Sequence, residues 1–138
     1  MPNRYVRRMP KRHGAAAVEF ALVAPVFFLV LFGLFEFAWL NVIRHTADTA
    51  AYEASRAVIV PGATAADAVA RADRILRTVG ARGATVTIRP TTITPETTSV
   101  TVEVEVPMRV NAIVTPRFTG QTVLRSQSTL RTERVSRR

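Results

Sequence analysis

The chain has no cysteine, one tryptophan, two tyrosines and two histidines in 138 residues. Without cysteine there is no disulfide framework, no Cys-ligated zinc or iron–sulfur site and no thiol nucleophile. The two histidines, His13 and His45, stand on either side of a long apolar run and do not share a metal site. A Gly-rich phosphate loop, a Gly-x-Ser-x-Gly turn and a His-Glu-x-x-His helix are all missing, so the local signatures of catalysis and of cofactor binding are missing too. Glu103 and Glu105 fall on one face of an alternating segment, where paired carboxylates are ordinary solvent-facing residues. The residues therefore point to a protein without enzymatic activity, cofactor or metal. Acidic residues are also scarce, 10 against 19 basic, for a formal net charge of +9. One ordinary domain fits this length.

The charge is unevenly placed. Residues 1–13 carry five bases (Arg4, Arg7, Arg8, Lys11, Arg12) and no acid, residues 15–43 carry only Glu19 and Glu36, and residues 44–138 mix 14 arginines with 8 acids. From Ala15 to Ile43 a helix would reach about 43 Å, more than the roughly 30 Å hydrocarbon core of a bilayer. Phe20 to Phe35 shows no polar face at any helical period, which a soluble core helix would require. The expectation is a membrane span over 15–43. The positive-inside bias places the N-terminus in the cytoplasm and the remainder outside the inner membrane, with Trp39 as an aromatic anchor at the outer interface. A nucleic-acid-binding arm is disfavoured, since Tyr5 is the leader's one aromatic and a span adjoins it. A conventional secretory signal is disfavoured because its apolar core runs about 7–15 residues.

Beyond Ile43 the period stays helical. Ile43, Ala47, Ala50, Ala54 and Ala57 fall on one stripe, and nothing interrupts the pattern until Pro61-Gly62. One helix is expected from Ala15 to Val58, with 44–60 continuing outside the membrane. Its alanine stripe allows close approach either to the chain's own head or to neighbouring subunits. Arg44 and Asp48 are spaced to pair at i,i+4. Thr64 to Asp67 reads as a capping box opening a second helix, with Ala68, Val69, Ala72, Ile75, Leu76 and Val79 on its apolar face and Gly80 as its stop. Asp67 with Arg71 and Asp73 with Arg77 are spaced as surface ion pairs. Val86 and Ile88 alternate with threonines in a short strand, and Val100, Val102, Val104 and Val106 alternate in a second. Residues 108–120 read as a loop containing Phe118 and Gly120, and 121–131 as a third strand with mostly polar alternation. The fold class is α+β: a long N-terminal helix, transmembrane in its first half, then a head over 61–138 built of a second helix and a small antiparallel sheet.

The junction of leader and span is the most informative stretch. Lys11-Arg12-His13-Gly14 is followed at once by an apolar helix with one carboxylate, Glu19, five residues in. This resembles the processing signature of type IV pilins, with Phe20 where the Flp-type branch more often has Tyr. The longer stretch through Gly33 and Glu36 to Ala54-Ser55-Arg56 is similar to the TadE-like domain of tight-adherence pilus and secretion systems. The resemblance covers about a third of the chain, residues 12–56, and says little about residues 64–138.

The resemblance implies that a membrane-embedded prepilin peptidase cuts after Gly14, removing residues 1–14 and leaving Ala15 as the mature N-terminus. It also implies that Glu19 pairs with the α-amino group of Ala15 on a neighbouring subunit during assembly. Physical chemistry suits both roles: glycine accepts the extended backbone of a protease cleft, and a carboxylate at the edge of hydrocarbon needs a partner. Glu36 lies 17 residues beyond Glu19, about 26 Å along the axis, and marks the outer boundary or pairs with another subunit. Ala47, Ala50 and Ala54 are candidates for the same intersubunit contact. Pro25 removes a helical hydrogen bond, and Gly33 gives a place for close helix contact. The implied partners are the peptidase, other pilins or pseudopilins, inner-membrane platform proteins and lipid, and not nucleic acid. Two readings follow: a minor pilin or pseudopilin, or a permanently anchored single-span protein whose periplasmic head binds a partner. The basic C-terminus, Arg131 to Arg138, reads as a solvated tail.

Overall fold

The computed structural model describes residues 13–94, 96–112 and 119–132. A 46-residue helix, α1 (His13–Val58), comes first, followed by α2 (Ala65–Thr78). Three strands follow, β1 (Thr85–Arg89), β2 (Ser99–Pro107) and β3 (Val123–Arg131), with a 3-10 turn, Met108–Val110, after β2. This is the expected α+β arrangement. The strands form one antiparallel sheet in the order β1-β2-β3, paired Val86 to Val104 on one side and Val104 to Ser126 on the other.

The chain divides into two compact units between Leu34 and Phe35. In the first unit, none of residues 14–34 is buried. Phe20 and Leu22 are each 71% exposed, and Val23, Phe27, Leu29 and Leu34 are all largely exposed as well. This stretch of 21 residues corresponds to about 31 Å of helix, the thickness of a hydrocarbon core. The helix is long and apolar enough to cross a membrane. It continues through Pro25, whose missing N–H leaves the Ala21 carbonyl without its usual helical donor.

The second unit is the head. Its core joins Ile43, Ala47, Ala50, Ala51, Ala54 and Val58 of α1 to Ala68, Ala72 and Leu76 of α2, Ile88 of β1, Val100, Val102, Val104 and Val106 of β2, Met108, and Leu124 of β3. All four valines of β2 are fully buried, as befits a central strand with one face against helices and a pleat of period two. Ile43 is 0% exposed, and Trp39 and Leu40 pack against the same core, so the head takes the last residues of the apolar run that the sequence assigned to a span ending at Ile43. The alanine stripe is likewise internal: Ala47 is 1% exposed, and Ala50 and Ala54 are 0%. Of the two surfaces expected to meet it, the chain's own head is the one that does. Methyl side chains let the sheet and α2 approach the α1 backbone closely, and a neighbouring subunit has no access to the stripe while the head is folded.

Helix α2 has well-defined ends. Thr64 Oγ1 accepts from Asp67 N at 3.3 Å while Thr64 N donates to Asp67 Oδ2 at 2.8 Å, a reciprocal capping box. At the other end Gly80 adopts φ +68°. Its N–H donates to the Arg77 carbonyl, and Ala81 N–H donates to the Leu76 carbonyl. That is a Schellman closure, for which glycine is the residue without steric cost.

Candidate functional site

The residues singled out from the sequence fall into two groups. Gly14, Ala15 and Glu19 belong to the exposed stretch of α1. The helix begins at His13, so the Gly14–Ala15 bond lies inside its first turn and is not extended. The first N–H groups of a helix have no intrahelical acceptor, and glycine weakens a turn by about 1 kcal/mol relative to alanine. Unwinding this one turn is therefore cheap, and a Cβ added at Gly14 would meet nothing within 4 Å. The glycine is not required by packing in this chain. Glu19 follows Ala15 by four residues and lies exposed among apolar neighbours. Among the described residues it has neither a hydrogen bond nor an ion pair.

Glu36, by contrast, acts within the head. Its Oε1 accepts from Thr119 N at 2.7 Å and from Thr119 Oγ1 at 2.6 Å. Thr119 is 2% exposed, so a boundary carboxylate clasps a buried backbone amide of the loop before β3. One turn on, Trp39 Nε1 donates to the Asn111 carbonyl at 2.6 Å. Trp39, expected as an aromatic anchor at the outer interface, thus also fastens α1 to the head. Both contacts are intramolecular.

Asn111 is the residue the sequence reading missed. It is 8% exposed, and its side chain is fully used: Oδ1 accepts from Arg82 N at 2.6 Å, and Nδ2 donates to Arg82 O at 2.8 Å and Pro107 O at 2.7 Å. One amide thereby joins the turn after α2, the end of β2 and, through its own carbonyl, Trp39. Its only signal in the sequence was an asparagine in a loop, which is also what a solvated turn residue looks like.

Further along α1, polar pairs dock it on β3. Ser126 Oγ donates to Asp48 Oδ1 at 2.6 Å, and Ser55, donating to Tyr52 O at 2.7 Å, shares a 2.8 Å bond with Ser128. Asp48 is thus engaged by β3 and not by Arg44. Arg71 reaches across to Glu53 at 2.8 Å because Asp67 is committed to its capping box, so the expected Asp67–Arg71 pair does not form. The Arg71 hydrogen bond lowers the Glu53 pKa, opposed in part by desolvation and aided by the charges of Arg71 and Arg56. Backbone and then hydroxyl donation from Thr64 lower that of Asp67. Glu105 pairs with Arg125 across the sheet at 2.9 Å.

A shallow groove between the helices is lined by His45, Thr46, Thr49, Ile75 and Thr78. Its three hydroxyls donate to the carbonyls of Val42, His45 and Ile75, so their protons are spent within their own helices. Among the described residues, no three of His, Asp and Glu are grouped so as to hold a metal ion.

The chain has no match among curated proteins or solved structures. Residues 14–56 do match the TadE-like protein family, the stretch that begins at the exposed glycine and ends beside the Ser55–Ser128 contact. Over that segment, about a third of the chain, the protein is similar to the TadE-like family.

Proposed function

We propose that this chain is a non-enzymatic minor pilin or pseudopilin that assists assembly of a Tad-type pilus or secretion apparatus. Residues 14–34 of α1 lie in the bacterial inner membrane, with the N-terminus cytoplasmic and the head periplasmic. The prepilin peptidase cuts between Gly14 and Ala15. Glu19 then pairs with the new amino group of Ala15 on an adjacent pilin, an attraction that exists only after cleavage and is strong where water is scarce.

The observation that carries this reading is the exposed stretch Gly14–Leu34. It is apolar on every face, and Glu19 is its sole ionisable group. A lone carboxylate among exposed apolar side chains is costly in a bilayer without a partner, and a terminal ammonium four residues away on a neighbouring helix supplies one. The match of residues 14–56 to the TadE-like family supports the same assignment.

The test is the intact mass and N-terminal sequence of membrane-extracted protein from cells with and without the peptidase. The expected result is a start at Ala15 that depends on the peptidase, and an unprocessed chain when Gly14 is replaced by a bulky residue. Glu19→Gln should mature normally but fail to enter assemblies. A wild-type chain that keeps its leader in the presence of the peptidase would instead make this a permanent single-span anchor.

A further inference from the structure

The loop between β1 and β2 reads Pro90-Thr-Thr-Ile-Thr-Pro-Glu-Thr-Thr-Ser99, with six hydroxyl side chains in the nine residues 91–99. Threonine- and serine-rich segments that contain proline have the composition of O-glycosylated stalks, but composition alone does not separate an acceptor from a threonine held in a turn. Hydrogen bonding does. An acceptor hydroxyl has to be exposed and unengaged, and the backbone that carries it has to enter a transferase cleft, which is cheapest where no hydrogen bond must break first.

Most hydroxyls of the head fail on one of these counts. Thr46, Thr49 and Thr78 donate to carbonyls of their own helices, and Thr101 and Thr129 bond to each other across the sheet at 2.9 Å. Within the loop, Thr94 and Thr97 close a turn: Thr94 N donates to Thr97 Oγ1 at 2.9 Å, and Thr97 N donates to the Thr94 carbonyl at 3.0 Å. Other exposed hydroxyls are unengaged but sit on tied backbone. Thr85 and Ser99 lie in strands, opposite Glu105 and Arg131. The Thr98 carbonyl accepts from Thr132 N, and Thr122 is bonded through its N–H to Thr119 and through its carbonyl to Met108.

Thr91 and Thr92 meet every condition. Both are exposed, and among the described residues neither has a hydrogen bond through its hydroxyl or its backbone. Strand β1 ends at Arg89, just before Pro90, and Ile93 packs against the core. The two threonines are therefore presented side by side on a short span that is fixed at both ends.

We propose that Thr91 and Thr92 are acceptors for an O-linked sugar delivered from a polyprenyl phosphate carrier. In the transfer, the threonine Oγ1 bonds to C1 of the sugar and the bond from C1 to the carrier phosphate breaks. The phosphate leaves with the electron pair, and the hydroxyl proton passes to a base of the transferase. The proposal rests on the reading that the head is periplasmic, and it is independent of cleavage after Gly14.

The test uses the full chain purified from its own host. Trypsin releases residues 83–109 as one peptide because Arg89 is followed by proline, and mass with electron-transfer fragmentation places any addition. The expected result is one or more whole sugar residues on Thr91, Thr92 or both. The increment should be lost in the double variant Thr91→Val, Thr92→Val, whose unfolding curve should match that of the parent, and kept in Thr98→Val. An unmodified peptide, a phosphate-sized addition, sugar confined to other positions, or an increment that survives in the double variant overturns the proposal. Thr49→Cys, treated with a membrane-impermeant maleimide on spheroplasts, separates the two readings. Labelling of Thr49→Cys together with an unmodified loop overturns glycosylation and leaves the periplasmic head standing. A Thr49→Cys that the reagent does not reach overturns the periplasmic reading, and the proposal with it.

Discussion

The two halves of α1 are one helix in backbone terms and two different objects in side-chain terms. From Gly14 to Leu34 it carries phenylalanine, leucine and valine on every face, and none of them is buried. From Phe35 to Val58 it carries an alanine stripe whose Ala47, Ala50 and Ala54 are buried, flanked by polar residues that bond to the sheet and loops. Hydrophobicity therefore does not report burial within the chain. The more apolar half is exposed, and the less apolar half forms the core, because small side chains let a three-stranded sheet and a second helix come close. The large side chains of the first half await a different environment, which on this account is lipid and, after assembly, neighbouring pilin helices.

The most damaging way to break this contrast is to put bulk on the stripe. Ala50→Trp should destabilise the head by about 3 kcal/mol through overpacking, whereas Ala21→Trp in the exposed half should leave the head unchanged. Denaturant titration in detergent, followed by circular dichroism because each variant adds an indole to Trp39, measures both against the parent. Next in size is Asn111→Ala. It strands the Arg82 amide and carbonyl and the Pro107 carbonyl, and a loss of about 2 kcal/mol should accompany an altered Trp39 spectrum. Glu36→Gln weakens the clasp on Thr119 and should cost about 1 kcal/mol, with hydrogen exchange at the Thr119 amide speeding up. A result for Glu36→Gln as severe as that for Ala50→Trp would show that the boundary between the halves, and not the stripe, holds the head together.

The smallest effect is the acid dependence of the α2 cap. The Asp67 pKa is depressed below its ordinary 3.8 in the folded state by donation from Thr64. Its contribution is therefore fully present above that value and is lost as pH falls through the folded pKa. The stability difference between wild type and Asp67→Asn should be constant from neutral pH down to about pH 4 and shrink below it, read from unfolding curves at stepped pH.

The parts of the fold that were legible in the sequence are those specified by local patterns. The valine alternation of β2, the Thr64–Asp67 box and the Gly80 stop each need only a few neighbouring residues, and all three appear in the structure. Strand β3 was less distinct because two of its inward positions are Ser126 and Ser128, which meet hydroxyl and carboxylate groups of α1 and so break the apolar alternation. Ion pairs were misassigned for a related reason: i,i+4 spacing identifies Asp67 and Arg71 as candidates but does not show that Asp67 is already held by Thr64 and that Glu53 stands across from Arg71. Trp39 and Asn111 are 72 residues apart, and no local pattern announces such a contact. At the candidate site, Gly14 and Glu19 stand out in the sequence because an uninterrupted apolar run follows the one and surrounds the other. The inward role of Glu36 was not, since its partner Thr119 lies in a loop without periodicity.

The division of α1 is tested most directly by single-cysteine labelling along the helix in intact membranes, using a water-soluble maleimide with and without urea. Thr49→Cys should react in both conditions, Ala47→Cys only once urea opens the head, and Val23→Cys in neither. Labelling of Ala47→Cys in the native state, or of Val23→Cys by the aqueous reagent, would contradict the account.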